Sequence, residues 1–269
     1  MRSSTMPTSF LWGLANPTRF MALSARILPW MAALSAIVTA AGLYLALFSS
    51  PADYQQGETV RIMYIHVPAA WLALALYAIM SLSALGTLVW RHPLADVSQK
   101  AAAPIGAAFT LLCLVTGSLW GKPMWGTWWV WDARLTSVLV LFLIYLGILA
   151  LWRAIEDPGQ AARAVAILTL VGFVNIPIVK FSVDWWNTLH QPASVIRMDG
   201  ATIDASMLWP LFTMAIGLTL LALTLHMSGM RSEILARRAR SLTLKAADRA
   251  AERQRPLPLS AGSAGAGPA

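Results

Sequence analysis

Two histidines in this sequence stand where they could bind a metal ion. His66 occurs in YIHVPAAW and His190 in WWNTLHQP, and each lies beside a polar stretch that separates long apolar runs. His92 and His226 lie at the far ends of such runs, where histidine is usually interfacial. Neutral imidazole is the commonest metal ligand among side chains. A single histidine of this kind is more often structural, so the metal hypothesis depends on what lies between His66 and His190.

The segment between these two histidines is rich in tryptophan. Five indoles fall within twelve residues: Trp120, Trp125, Trp128, Trp129 and Trp131. The stretch, WGKPMWGTWWVWD, ends at Asp132 and is followed by Arg134. One or two tryptophans at a membrane boundary are ordinary anchors. Five in a short segment with Gly and Pro predict an apolar shelf for a flat hydrophobic ligand, because indole is large, flat and mostly apolar.

A haem group would use all of these residue types. The macrocycle needs aromatic or aliphatic surface, and the iron needs one or two axial side chains, commonly His. The propionates need cationic partners, which arginine supplies best. We therefore predict His66 and His190 as axial ligands of a haem supported by the tryptophan shelf. A zinc or copper site fits less well, since it needs three or four ligands close together.

Charged residues near the shelf are the candidates for holding the propionates. The available cations are Arg61, Lys122, Arg134 and Arg197. Asp132 could hold Arg134 or orient an imidazole through its N–H. It could equally cap the helix that follows, and both roles can be filled together.

The composition predicts an integral membrane protein. Of the 269 residues, 58% are hydrophobic and 12% are charged, whereas soluble domains carry about 25% charged residues. The net charge of +8 lies mostly in loops and tails, so it does not indicate nucleic-acid binding. Cys113 is the one cysteine, and no CxxC or CxxCH occurs, which excludes thiol exchange by this chain alone and c-type haem attachment.

Six apolar runs are long enough to be transmembrane helices. They lie near residues 27–48, 69–90, 101–120, 135–152, 162–181 and 206–228. The first is too long for the apolar part of a signal peptide, so we interpret it as an uncleaved helix. Pro177 is predicted to kink the fifth helix or to end it early. The fold class is therefore all-α, with a Trp-rich outer loop between helices 3 and 4.

The distribution of Lys and Arg predicts the orientation. Fifteen of the twenty lie in the N-terminal segment, in 91–100, in 153–163 and in the C-terminal tail. By the positive-inside rule both termini are cytoplasmic. Nine of thirteen tryptophans then lie at or near the outer face, which exceeds an even anchoring belt. The segments containing His66 and His190 share that face, which would be periplasmic in a bacterium with an outer membrane.

Three regions follow from this topology. Residues 1–26 are predicted to be a basic segment on an anionic membrane face, and residues 27–228 a six-span domain with the Trp-rich loop at 120–134. Residues 229–269 are predicted to be a cytoplasmic tail, first basic and then disordered. No P-loop and no buried row of acidic residues occurs, so the chain is not predicted to be an enzyme and any energy must come from a partner.

The Trp-rich segment WGKPMWGTWWVWDARLTS resembles the WWD signature of the haem-handling proteins of c-type cytochrome maturation. The motifs PADYQQG at 51–57, YIHVPAAW at 64–71 and WWNTLHQ at 185–191 narrow the resemblance to the CcmC family of system I. It covers roughly residues 25–230.

The resemblance has several implications beyond the residues. The axial ligands of the family match His66 and His190, and its WWD residues match the five tryptophans and Asp132. Such proteins are similar in working beside an ABC transporter, CcmA and CcmB, and a small subunit, CcmD. They present transiently bound haem b at the outer face to the haem chaperone CcmE.

Three other functions are compatible with some of these features. The chain could be an exporter that moves haem through its own spans, which the apolar helices support only weakly. The ligase of system II maturation shares a WWD loop, but it would need further spans and histidines. A structural scaffold would leave the paired histidines and the excess of outer tryptophan unexplained.

Overall fold

The computed structural model of this protein describes residues 16–192 and 194–254, and within them the chain is helical. It forms α1 (Pro17–Tyr44), α2 (Met63–Leu88), α3 (Ala95–Trp125), α4 (Ala133–Ala154), α5 (Pro158–Gly172), α6 (Asn175–Trp185) and α7 (Ala205–Gln254). A π-helical turn, Leu45–Ser49, continues α1, and a 3₁₀ turn, Glu58–Ile62, leads into α2. Parts of the predicted segments 1–26 and 229–269 lie outside the described residues.

These helices confirm the predicted all-α class and the number of spans. Six helical segments are long and apolar enough to cross a membrane, with α5 and α6 together forming the fifth. The break in that span falls just after Gly172, and Pro177 lies in the first turn of α6. Proline is tolerated there because the first N–H groups of a helix have no partner within it. The fifth span therefore does not end at Pro177. It is interrupted between Gly172 and Asn175 and continues as α6.

Three helices begin at a side-chain cap. Asn16 accepts a hydrogen bond from the Thr18 N–H, Asp132 from the Leu135 N–H and Asp157 from the Gln160 N–H. Each cap satisfies one of the N–H groups that lack an intrahelical partner. The first helix therefore starts ten residues before the predicted boundary at residue 27, and part of the predicted basic segment is helical.

The last helix also differs from its predicted bounds. Helix α7 runs for 50 residues without a break, so no change of structure marks the predicted boundary between residues 228 and 229. The basic part of the tail is a continuation of the sixth span and does not form a separate surface helix.

The interior of the bundle is closely packed around tyrosines. Helix α2 packs along α3, α1 along α7, and α4, α5 and α6 complete the bundle. The Tyr145 hydroxyl donates to Ala73 O at 2.8 Å and the Tyr77 hydroxyl to Thr169 O at 3.0 Å. A Cβ at Gly106 would lie 2.3 Å from the Tyr145 ring, so only glycine leaves room for that ring beside α3.

The bundle has two ends with different chemistry. The tryptophan end comprises the start of α2, the end of α3, the start of α4 and the segment that follows α6. The tail end comprises the end of α2, the start of α3 and the basic part of α7, where Arg237 contacts Asp96 at 2.7 Å. Both histidines singled out in the sequence lie at the tryptophan end.

Candidate functional site

His66 lies in the first turn of α2 against the backbone of α3. Its Nδ1 is 3.0 Å from Thr116 Oγ1. The only hydroxyl hydrogen of Thr116 is donated to Leu112 O at 2.6 Å, so Thr116 accepts from Nδ1–H. The remaining ring nitrogen, Nε2, then carries a lone pair, which is the form of imidazole that binds a metal.

Gly117 provides the space that the His66 ring occupies. A Cβ at this position would lie 2.8 Å from His66 Cε1, which is closer than side-chain carbons approach. The Trp120 ring, one turn further along α3, meets the His66 ring edge-on with centroids 5.7 Å apart. The His66 ring therefore packs against α3 at two positions, the backbone of Gly117 and the indole of Trp120.

His190 lies in the segment after α6 and packs beside the end of α3. Its ring centroid is 5.0 Å from that of Trp125. Its Nδ1 is buried without a hydrogen-bond partner in the described part of the chain, and lies 3.8 Å from Asp132 Oδ2, beyond hydrogen-bond distance. The Nδ1 side of the ring is thus turned toward Asp132.

The electrostatic environment keeps His190 neutral. Burial lowers the pKa of His190 to about 4, the charge of Arg134 acts in the same direction, and Asp132 opposes both. Neutral imidazole is the form that ligates metal. His66 packs against Trp120 and His190 against Trp125, so the fold places both predicted ligands at the tryptophan end of the bundle.

Asp132 connects the shelf to the segment of His190. One carboxylate oxygen caps α4 through the Leu135 N–H at 2.8 Å, as the sequence allowed. The other accepts the Leu189 N–H at 3.2 Å. Asp132 therefore fixes the main chain next to His190 and contributes negative charge near its ring.

The five tryptophans do not form one loop. Trp120 and Trp125 belong to α3, which continues past Gly121-Lys122-Pro123 and ends where Gly126 adopts a left-handed φ of 74°. Lys122 O still accepts a backbone hydrogen bond, from the Gly126 N–H at 3.0 Å. The non-helical segment is 126–132, shorter than the predicted 120–134.

The tryptophans fall into two groups by environment. The two helical indoles each lie beside a histidine, and Trp120 Nε1 donates to Gln56 Oε1 at 2.8 Å. Trp128 and Trp131 are 53% and 75% exposed. The Trp129 ring meets the Trp131 ring edge-on at 5.5 Å, and Trp129 Nε1 is buried without a partner among the described residues. The shelf thus has a part against the histidines and a part open to the surroundings.

The predicted cations are largely engaged with the protein. Arg61 contacts Glu58 at 2.5 Å and donates to Ala46 O and Ser50 O at the end of α1. Arg134 donates to Ser182 Oγ at 2.6 Å and thereby joins α4 to α6. The charge of Arg134 helps to lower the pKa of His190. The contacts of Arg61 hold the 3₁₀ turn before α2 to the end of α1.

The other two cations are also engaged. Lys122 donates to Gly126 O at 2.9 Å and lies 5.8 Å from the centre of the Trp128 ring. Arg197 pairs with Asp199 in an exposed turn. Over residues 16–192 and 194–254, no group of three or more His, Cys, Asp or Glu side chains could hold a metal ion, so the chemistry of this end is that of two separate imidazoles.

Several residues of the site were not found by sequence reasoning. Thr116, Gly117 and Gln56 set the position of His66 and Trp120, and Ser182 receives Arg134. The one signal for them is the pair Thr116-Gly117 in an otherwise apolar run, because a hydroxyl beside a glycine can receive a side chain from a neighbouring helix.

Comparison with known proteins shows the family of this chain. The model of the CcmC family, described as Heme exporter protein C, matches residues 10–245. Heme exporter protein C of Bradyrhizobium diazoefficiens is 67% identical over 238 residues, which cover 88% of this chain and 90% of the relative. Heme exporter protein C of Escherichia coli K12 is 49% identical over 222 residues, covering 82% and 89%.

A eukaryotic relative is similar over a shorter length. The putative cytochrome c biosynthesis ccmC-like mitochondrial protein of Marchantia polymorpha is 50% identical over 199 residues, which cover 74% of this chain and 84% of the relative. Because the family model matches most of the chain and the relatives are covered nearly in full, the chain belongs to the CcmC (heme exporter protein C) family.

Proposed function

We propose that this protein is a haem-binding membrane subunit that presents haem to the chaperone CcmE during c-type cytochrome maturation. Its partners in this proposal are the ABC transporter subunits CcmA and CcmB and the small subunit CcmD. The observation that supports the proposal best is that His66 and His190 lie at the same end of the bundle, each beside a tryptophan of α3. Haem b is the cargo and is bound transiently.

The site suits an iron porphyrin in its donor atoms and its surface. His66 would bind iron through Nε2, because its Nδ1 is bonded to Thr116, and His190 through Nε2, because its Nδ1 is buried toward Asp132. Trp120 and Trp125 offer indole faces or edges next to these nitrogens, and Trp128 and Trp131 extend the aromatic surface outward. Two ligands suit a haem that must be passed on, because its iron is already held by the four porphyrin nitrogens.

The orientation follows from the charge distribution. The tail end holds most of the Lys and Arg residues, so we place it in the cytoplasm of a bacterium and the tryptophan end in the periplasm. The protein would then be a multi-pass protein of the inner membrane with its haem site outside. CcmE, which receives the haem there, would meet the exposed part of the shelf.

The packing of the bundle favours presentation over passage through the spans. Tyr77 and Tyr145 meet edge-on in the middle of the helices with centroids 5.3 Å apart. Both are fully buried, and glycines are needed to admit their rings. A haem would have to displace this core to cross by that route, so the exporter alternative has less support.

The absorption spectrum of the purified full-length protein, expressed with its partners, tests the proposal. We expect a low-spin bis-histidine haem spectrum in the wild type, and its loss in the His66→Ala/His190→Ala variant. His92→Ala is the matched control, since His92 lies at the tail end, and it should keep the spectrum. A double variant with the wild-type spectrum would overturn the ligand assignment.

A further inference from the structure

A cleft lies at the tail end of the bundle, away from the tryptophan end. It occupies about 450 Å³ between the end of α2, the start of α3 and the middle of α7. Its walls are almost entirely apolar and include Ile79, Leu82, Leu94 and Met230. The cleft lies alongside the exposed face of α2, where Leu82 is 69% exposed. In a membrane-spanning bundle that face is in contact with hydrocarbon.

The mouth of this cleft is lined by hydrogen-bond donors. His92 Nδ1 accepts the Leu94 N–H at 3.2 Å, so the neutral ring carries its proton on Nε2 and can donate but not ligate a metal. Trp90 is 70% exposed beside it. Arg91 is exposed and takes part in no ion pair among the described residues. Trp90 and His92 line the cleft, and the exposed Arg91 lies between them in the sequence.

The chain turns sharply at Arg91. Arg91 is the one described non-glycine residue with a positive φ, 49°. The turn is closed by the His92 N–H, which donates to Gly86 O at 3.0 Å. Glycine would adopt this conformation without strain. The sequence instead has an arginine here, directly after Trp90, in spite of the strain.

We propose that this cleft binds one anionic phospholipid, with an acyl chain between α2, α3 and α7 and the phosphate at Arg91 and His92. An apolar cleft facing hydrocarbon is filled by an apolar chain, since a trapped water would have no partners there. Guanidinium and imidazole N–H groups match a phosphate, and tryptophan belongs at the level of the headgroups. The proposal is independent of haem binding.

Lipid binding to the full-length protein by native mass spectrometry tests this site. The probes are phosphatidylglycerol, phosphatidylcholine and inorganic phosphate, each added to delipidated protein. We expect one phosphatidylglycerol to be retained in preference to phosphatidylcholine. Arg91→Gly should weaken phosphatidylglycerol about fivefold, the effect of one cation near a headgroup, and weaken phosphatidylcholine less, because its choline cation offsets its phosphate. Glycine adopts a φ of 49° without strain, so we expect this variant to keep the fold.

Arg153→Gln is the matched control, because Arg153 is an exposed cation in the last turn of α4. It should leave phosphatidylglycerol binding unchanged. Equal losses in the two variants, or no preference for phosphatidylglycerol, would overturn the proposal. Retention of inorganic phosphate at the strength of the lipid would also overturn it, since the acyl chain would then contribute nothing.

Discussion

At the scale of residues, the two candidate ligands are prepared by different means. A hydroxyl whose hydrogen is already donated to Leu112 O fixes the tautomer of His66. His190 has no such partner and is kept neutral by burial and by the charge of Arg134. The orientation of His66 is therefore set by a hydrogen bond, and that of His190 by packing against Trp125.

The pH dependence of haem binding reports on His190. Its pKa of about 4 means that the ring is neutral at pH 7, so we expect the bis-histidine spectrum to persist to about pH 5 and to weaken as the pH falls toward 4. Arg134→Gln removes a positive charge, which raises the pKa toward its ordinary value of 6.5. The spectrum should then be lost at higher pH.

The control for this titration is Arg197→Gln. Arg197 lies between α6 and α7 and pairs with Asp199. Its removal should therefore not move the pH midpoint of the spectrum. In Arg134→Gln, the lost charge should move the pH midpoint at which the spectrum disappears. Weaker binding of the propionates would instead lower the haem occupancy at every pH. An unchanged midpoint in Arg134→Gln would contradict the role given to this charge.

At the scale of helices, the site depends on close approach between α2 and α3. The approach is made at Gly117, where a Cβ would meet the His66 ring at 2.8 Å. We expect Gly117→Ala to displace the ring and weaken haem binding by roughly tenfold or more, as loss of a supporting contact does for metal ligands. The spectrum and haem content of the purified variant measure this.

Gly147→Ala is the matched substitution for Gly117→Ala. A Cβ there would make an ordinary contact of 3.7 Å with Leu168, so haem content should remain that of the wild type. Equal haem content in the two variants would show that His66 does not need the bare backbone of α3.

The sequence predicted the helices better than it predicted their ends. Apolar runs identified six spans because each must bury or embed about 20 residues. The third span is predicted to end at residue 120, just before Gly121-Lys122-Pro123, yet the helix continues to Trp125. Hydropathy reports where the membrane ends, whereas a helix ends where its last carbonyls find partners, here at Gly126.

The same distinction applies to the site. Residue types and spacing were enough to single out His66, His190 and the tryptophans, because few ligands need both imidazole and clustered indole. The partners of His66 on α3 are 50 residues away in the chain, and no local pattern pairs them. The sequence likewise did not predict the hydrogen bond from Arg61 to Ala46 O. That bond depends on how the segment between α1 and α2 folds back onto α1.

At the scale of the whole molecule, the two ends of the bundle should lie on opposite sides of the membrane. Cys113 is buried, so a Cys113→Ser protein is a background for single introduced thiols. Tyr54→Cys, at a position 90% exposed beside the tryptophan end, should react with an impermeant maleimide in intact spheroplasts. Leu242→Cys, 67% exposed at the tail end, should react only after permeabilisation.

Denatured samples of both thiol variants, labelled to completion, are the control for reactivity. The reverse labelling pattern would invert the topology and place the histidines in the cytoplasm. Labelling of both positions from outside would contradict the transmembrane path of α7.

Helix α7 is longer than a membrane is thick. Its 50 residues extend about 75 Å, whereas a bilayer with its headgroups is about 40–45 Å thick. Arg231 and Arg237 hold it to α1 and α3 on the way out, at Met21 O and Asp96. A rigid helix that is held near its middle acts as a lever: a tilt that moves Trp209 at one end moves the other end in the opposite direction by a similar distance. A displacement at the tryptophan end would thus be transmitted to the tail end.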